Sequence, residues 1–188
     1  MVISLNEIFD IAFITFAIGF IFSDMFRREP LEGYDPLKHY QKSGMWENIK
    51  FAAMVAAPAV IFHELAHKLV ALSFGASATI HAPYNMYFII ILLKLIRFPV
   101  LFFVGGFVAH TPLPALQSAA VSIAGPLTNL LIWVTIGIIV KKGLVDKKYY
   151  KILEPMAKIN MFLFVFNLIP IPGFDGFNFF RSLFAAFA

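Results

Sequence analysis

Residues 61–68 read IFHELAHK and contain the pattern H-E-x-x-H inside a long apolar run. Residues four apart lie one above the other on the same face of an α-helix, so His63 and His67 can hold one metal ion between two imidazole nitrogens. Glu64 lies beside the first of these ligands, where its carboxylate can act as a general base on water. The stretch therefore predicts a zinc site of the catalytic type, which needs a third protein ligand and leaves the fourth position open.

The apolar flanks of this motif favour a functional site over a solvated polar helix face. Residues 52–62 read AAMVAAPAVIF and residues 69–72 read LVAL. An ionisable cluster in an apolar helix of membrane length is energetically expensive, and such clusters usually mark functional sites.

The composition is that of a polytopic membrane protein. The chain has 188 residues, enough for one domain, and is 60% hydrophobic and only 14% charged, whereas a soluble domain averages about 25% charged residues. The absence of cysteine excludes a disulfide framework and a cysteine-type zinc site, so His and carboxylate must hold any metal. The net charge of +4 comes from short basic clusters, which are not a nucleic-acid footprint.

Long apolar segments predict an all-α integral membrane protein with about four spanning helices, each suited to a hydrocarbon core of about 30 Å. These helices are predicted at residues 5–26, 50–73, 115–140 and 153–171. The first has no basic region before it and no cleavage site after it, so we expect a retained helix and not a signal peptide.

The remaining segments complete a single predicted domain over residues 1–188. Residues 27–49 are mixed in charge and broken by Pro and Gly, which predicts an exposed loop. Residues 177–187 predict a short apolar helix that cannot span. Asp10 and Asp24 lie near the ends of the first helix, where we expect them at the polar membrane interface.

Residues 74–114 are predicted to be a re-entrant, substrate-binding region. Residues 78–81 suggest a short strand, and the apolar run at 86–97 is closed by charges too early for a span. The pair Gly105-Gly106 lies between two β-prone runs and predicts a hairpin, which at membrane depth must be buried or face a wet cavity. The alternative is one more bent spanning helix over residues 86–108.

Asp175 is the natural candidate for the third metal ligand. It follows the fourth span in a segment broken by Pro and Gly, where an irregular backbone lets a side chain turn inward. Two imidazoles and a carboxylate suit Zn²⁺. The competing residues are Asp10, Asp24, Glu154, His81 and His110.

Residues 124–129 read AGPLTN, and Gly, Pro and Asn are poor helix residues in lipid unless neighbours satisfy the backbone. This block is either a packing kink or a kink that directs Asn129 toward the active site. If the second and fourth spans are parallel and the third is antiparallel, the zinc motif, Asn129 and Asp175 fall near one membrane face.

Three blocks together resemble the site-2 protease family of intramembrane zinc metalloproteases: HELAH at 63–67, GPLTN at 125–129 and NLIPIPGFDG at 167–176. Their order and spacing also match, so the resemblance covers about residues 50–180. It implies one Zn²⁺ per chain, with Glu64 as catalytic base. The implied ligands are His63, His67 and Asp175, and the implied substrate contacts are Asn167 and the hairpin around Gly105 and Gly106. Asn129 or Asn167 could also donate a hydrogen bond to the substrate or to the oxyanion.

The chain departs from larger family members in its extent. No loop is long enough for a PDZ or CBS domain, so it resembles a minimal core. Phe177 follows Gly176 where a second Gly is frequent, and we expect none of the further helices that usually follow the fourth span.

The resemblance implies regulated intramembrane proteolysis, with a transmembrane protein or peptide as substrate and the lipid bilayer as environment. The alternative is a catalytically silent, zinc-stabilised binder of transmembrane helices, against which the intact Glu64 argues. A transporter is a third possibility, but the chain contains no paired inverted repeat. The resemblance places the active site nearer the cytosolic face of the cell membrane, whereas the basic residues in loops 27–49 and 141–151 favour the opposite orientation.

Overall fold

Apolar residues dominate the chain, and the predicted all-α membrane architecture is confirmed. The computed structural model describes residues 3–25, 44–98 and 105–188. Within them lie six α-helices, two short strands and a 3₁₀ turn at Lys147–Tyr149. The elements are α1 (Leu5–Phe22), α2 (Met45–Ser73), β1 (Ala78–His81), α3 (Tyr84–Leu95), β2 (Phe107–His110), α4 (Ala115–Lys141), α5 (Tyr150–Asn167) and α6 (Asp175–Phe187).

Three of these helices, α1, α2 and α4, are long and apolar enough to cross a membrane. The fourth predicted span is present as α5, but its 18 residues include three charged side chains and it is not among the candidate spans of the described residues. Helix α2 begins at Met45, so the last residues of the predicted loop 27–49 are helical. The rest of that loop, up to residue 43, lies outside the described residues.

The described part of residues 74–114, the segment predicted to be re-entrant, contains a short helix and a two-stranded antiparallel sheet. Strand β1 forms where residues 78–81 predicted it, and pairs with β2 so that Ala78 faces His110 and His81 faces Phe107. The alternative of one helix over residues 86–108 is wrong, because α3 ends at Leu95 and the chain is extended from Phe107. The glycine pair directly precedes β2, and residues 99–104, the run predicted to form the first arm of the hairpin, lie outside the described residues.

Helix α2 occupies the centre of the fold, with α1 on one side and α4 and α5 on the other. Alanines on α2 let α1 approach closely, and Ile14, Ile18, Val55 and Val60 are fully buried between them. A Cβ added to Gly19 of α1 would lie 2.7 Å from the Ile49 carbonyl oxygen and 2.8 Å from the Ala53 Cβ. Small residues at helix interfaces are the usual means by which membrane helices pack at short range.

We expect Gly19→Ala to lower the apparent Tm of the detergent-solubilised protein by several degrees. The added methyl group must push α1 away from the backbone of α2, which outweighs the gain of about 0.5–1 kcal/mol from replacing a helical glycine. Thermal unfolding followed by circular dichroism measures the effect. The control is Gly137→Ala on α4, where a Cβ meets nothing within 4 Å; a Tm unchanged in both variants would show that α1 and α2 are not packed this closely.

Candidate metal centre

Two helices bring together the three predicted metal ligands. Helix α2 carries His63 and His67 one turn apart, and Asp175 is the first residue of α6. The two Nε2 atoms lie 3.0 Å apart, and the Asp175 Oδ2 lies 3.0 Å from the His63 Nε2 and 3.3 Å from the His67 Nε2. Among the described residues, this is the one group of His, Asp and Glu side chains whose ligand atoms converge in this way.

A buried amide sets the tautomer of His63. The Asn129 Nδ2 donates to the Ala59 carbonyl at 3.0 Å and to the Asn160 Oδ1 at 2.8 Å, so its Oδ1 must face the His63 Nδ1 at 2.6 Å. An amide oxygen can only accept, and the His63 Nδ1 therefore carries the proton. The Nε2 is left with its lone pair directed toward His67 and Asp175.

The same logic applies to His67. Its Nδ1 lies 2.7 Å from the Val121 carbonyl oxygen, which can only accept a hydrogen bond. In their neutral form, which is the form that binds a metal, His63 and His67 therefore present two lone pairs beside a carboxylate oxygen, and these three acceptors need a positive charge between them. Metal-ligating histidines typically donate their second ring N–H in this way to an amide or a carbonyl.

The spacing of the three acceptors fits a small tetrahedral ion. An ion with ligand bonds of about 2.0–2.1 Å holds its ligand atoms roughly 3.3 Å apart, close to the separations of 3.0–3.3 Å found here. Helix α4 leaves room for such an ion because it presents Gly125: a Cβ there would lie 2.4 Å from the His67 Nε2 and 2.6 Å from the His63 Nε2.

A tight turn between α5 and α6 directs Asp175 inward. Gly173 has φ +101°, a conformation that favours glycine, and a Cβ at Gly176 would lie 2.3 Å from the Leu168 carbonyl oxygen. The ionised form of Asp175 is the one that binds a metal, and a cation shared with the lone pairs of His63 and His67 would favour that form.

Glu64 lies beside the metal group without joining it. Its side chain is buried, and the Gly106 backbone amide hydrogen-bonds to its carboxylate. A Cβ at Gly105 would lie 3.1 Å from the Glu64 Oε1, and one at Gly106 would lie 3.2 Å from the Glu64 Cγ. The glycine pair thus lets the chain that enters β2 pass directly over the side chain predicted to be the base.

The two asparagines predicted to contact substrate have different surroundings. Asn129 is fully buried with its amide committed to three protein partners, so in this structure it faces His63 and has no donor left for a substrate. Asn167 is half-buried at the end of α5, eight residues before Asp175, and within the described residues its side chain makes no hydrogen bond.

The competing ligand candidates lie elsewhere. The His110 ring is hydrogen-bonded to the adjacent Thr111 carbonyl, and the His81 Nδ1 lies 3.8 Å from the Asp10 Oδ2. Neither histidine belongs to the metal group. The Asp10 carboxylate is buried within the protein and accepts a hydrogen bond from Tyr84, whereas Asp24 is exposed and pairs with Lys94 at 3.5 Å. The expected position of both residues at the membrane interface stays a prediction.

Sequence reasoning missed three buried polar residues around the site. Asn160 of α5 holds the Asn129 amide, and Glu7 of α1 forms an ion pair with Lys68, the residue that follows His67. The sequence does contain a signal for Glu7, because Ser4 and Glu7 have the spacing of a capping box and form one at the start of α1. A lysine inside the apolar run was itself a signal for a buried partner.

Comparison with known proteins supports the predicted resemblance to the site-2 protease family. The model of peptidase family M50 matches residues 135–188, which include Asp175 but not the histidine motif. A protein of Methanocaldococcus jannaschii with the curated name "Putative zinc metalloprotease" is 35% identical over 121 residues. The matched part is 62% of this chain and spans 61% of that relative's length. No solved structure matches the chain.

We expect Gly125→Ala to reduce bound zinc to less than a tenth of the wild-type content. The new methyl group would stand within 2.6 Å of both Nε2 atoms and occupy the place of the ion. Elemental analysis of purified protein measures the metal, and circular dichroism verifies the helical fold. Gly137→Ala makes the same change on the same helix in open space. Full zinc in Gly125→Ala would mean that the ion does not sit between these rings.

Proposed function

We propose, from the premise that the chain is a relative of the M50 peptidases, that it is a zinc metalloendopeptidase that hydrolyses peptide bonds within transmembrane segments. His63, His67 and Asp175 would hold one Zn²⁺ per chain, in a single domain over residues 1–188. The observation that carries the proposal is the convergence of two buried histidine nitrogens and a half-buried carboxylate oxygen beside a further carboxylate, Glu64, that is not part of the group.

The donor set supports a catalytic zinc site over a structural one. Three protein ligands leave one tetrahedral position free, as catalytic zinc requires, whereas a structural site closes all four. When bound, zinc supplies Lewis-acid polarisation of a carbonyl group and of water. The silent-binder alternative has no use for a buried general base next to that open position.

The chain's own residues supply the proton transfers. Glu64 is placed to take a proton from the attacking water and to pass it to the leaving amine. The Gly106 amide orients the Glu64 carboxylate. Asn129 and Asn160 fix the ring of His63, so Asn129 acts as a positioning residue and Asn167 is the remaining candidate for contact with the substrate backbone.

Strand β2 is the proposed docking edge for an unwound substrate. The odd-numbered residues of β2 make the backbone hydrogen bonds to β1. Thr111 extends this pattern, since its N–H donates a hydrogen bond to the Ser77 carbonyl. The N–H and C=O groups of Val108 and His110 therefore point away from β1, and within the described residues they have no backbone partner. An extended peptide that pairs there would recover backbone hydrogen bonds lost on leaving its helix.

We further propose that the metal site lies nearer the cytosolic face of the cell membrane. The family resemblance supports this orientation, which puts the lysine-rich end of the protein at α4, α5 and the connection between them on the opposite face. This end includes Lys141, the last residue of α4, and Lys142, Lys147 and Lys148 of the connection, all exposed.

We expect Glu64→Gln to keep one zinc per chain and to lower cleavage by at least a thousandfold, since the ligands are untouched and the proton acceptor is gone. Asp175→Ala should lose both the metal and the activity. Zinc content and cleavage of a helix-destabilised transmembrane peptide are measured on the same detergent preparations, beside wild type.

The outcomes separate the alternatives. Substantial cleavage by Glu64→Gln would refute the role of this residue as base. Zinc without cleavage in wild type, across several helix-destabilised peptides, would favour the silent binder. Absence of zinc from wild type prepared without chelators would contradict the metal centre itself.

We expect Asn129→Ala to weaken zinc affinity by 10- to 100-fold, the usual cost of removing a residue that orients a metal ligand. Without the amide oxygen, the His63 ring can rotate and can carry its proton on Nε2. Competition with a metallochromic chelator measures the affinity. Thr128→Val is the matched control, because the adjacent Thr128 hydroxyl donates only to the Ala124 carbonyl of its own helix; equal affinities in both variants would rule out the orienting role.

A further inference from the structure

A buried ion pair lies directly after the metal motif, one helical turn from Glu64, and has no part in the proposed chemistry. Lys68 of α2 and Glu7 of α1 are 2% and 3% exposed, and their charged groups are in direct contact. Burial of two charges is expensive, and a hydrophobic pair of similar volume is often at least as stable. The pair therefore calls for an explanation other than stability, and its hydrogen bonds supply one.

One carboxylate joins three elements. The Glu7 Oε1 accepts hydrogen bonds from the Lys68 ammonium group and from the Ile80 backbone N–H of β1, the latter at 2.9 Å. The Glu7 Oε2 accepts the Ser4 N–H at the start of α1. Because the residues on either side of Ile80 form the ladder with β2, the Ile80 N–H points away from β2 and would be a buried, unsatisfied donor without Glu7.

The Glu7–Lys68 pair and Glu64 contact the β1–β2 sheet at two different points. Glu64 and Lys68 are four residues apart and therefore on one face of α2. Glu64 contacts Gly106 at the entrance to β2, while Lys68 holds β1 at Ile80 through Glu7. Since Ile80 is paired with Val108, two residues beyond Gly106, the position of β2 against Glu64 is fixed from both strands.

The register of the sheet has a direct consequence for a substrate on the outer edge of β2. A peptide paired to a strand takes its register from that strand, and hydrogen-bonding groups repeat every two residues. A sheet that moves along α2 would present a different peptide bond to Glu64 and to the metal group.

We propose that the Glu7–Lys68 pair is a positioning device that sets the register of the β1–β2 sheet against Glu64, and through it selects the peptide bond that is cleaved. This inference rests on the proposed function. The essential contact is the hydrogen bond from the Ile80 N–H to the Glu7 carboxylate, and Lys68 holds that carboxylate in place.

The experiment compares two uncharged double variants, so that neither leaves a lone buried charge. Glu7→Gln with Lys68→Met keeps a side-chain oxygen for the Ile80 N–H, whereas Glu7→Leu with Lys68→Met removes it at similar volume. The exposed pair Glu47→Gln with Lys50→Met on the same helix is the control, since those side chains are in contact at 3.0 Å but lie in the open. The readouts are zinc content, cleavage rate and the bond cleaved in a transmembrane peptide, identified by mass spectrometry.

We expect all three proteins to bind zinc as wild type does, and the variant with Gln to cut the wild-type bond. The variant with Leu should lose at least tenfold in rate at that bond, with new products displaced by two residues. A structural role alone would lower yield and rate without moving the cut. Identical rates and products in the two double variants, or equal losses in both, would overturn the proposal.

Hydrogen–deuterium exchange keeps the inference testable apart from the activity. We expect the segments 78–82 and 106–110 to exchange at least tenfold faster in the Leu variant than in the Gln variant. If wild type cleaves no peptide, the proposed function fails and cleavage selection fails with it. Equal exchange in the two variants would overturn the positioning role itself, whatever the activity.

Discussion

Three lone pairs that face one another are the constraint around which the protein is built. Hydrogen bonds on the far side of each imidazole leave both Nε2 atoms as acceptors, and the Asp175 carboxylate adds a third. Such an arrangement is repulsive unless a cation lies between the atoms. Its persistence depends on the partners behind the rings: the amide of Asn129 and the carbonyl of Val121, both on α4.

Close approach of backbone to side chain is the second requirement, and glycine provides it wherever a helix or strand meets the site. Gly125 leaves space in front of the two rings, and Gly106 lets the chain lie against Glu64. Gly176 lets α6 start against the end of α5, so that Asp175 reaches α2 from a helix more than a hundred residues later. The polar network and the small residues therefore depend on each other, because a hydrogen bond of 2.6–3.0 Å between helices requires helices that pack closely.

The sequence predicted those features that are local. Spacing along a helix placed His63, Glu64 and His67 on one turn, and the broken segment after α5 identified Asp175, which the structure brings to within 3.3 Å of both histidines. Partners of buried polar groups were not readable in this way. Asn129 was considered as a hydrogen-bond donor to the substrate. The sequence does not reveal that its amide N–H groups bond to Asn160 and to the Ala59 carbonyl, which turns its oxygen toward His63. The pairing of β2 with β1 could not be predicted either. A strand of four residues carries no local signal for its partner, and α3 lies between the two strands in the chain.

The polar residues that sequence reasoning overlooked follow one rule. In an apolar chain, each buried donor or acceptor must find its partner inside the protein, and among the described residues no buried side-chain polar atom lacks one. Glu7, Lys68, Asn129 and Asn160 satisfy each other and the backbone groups around them, whereas the three acceptor atoms of the metal centre can be satisfied together only by a positive charge. Because the other buried polar groups around the site are paired within the protein, the convergence of three acceptors is informative. It marks the position at which a metal ion would satisfy them.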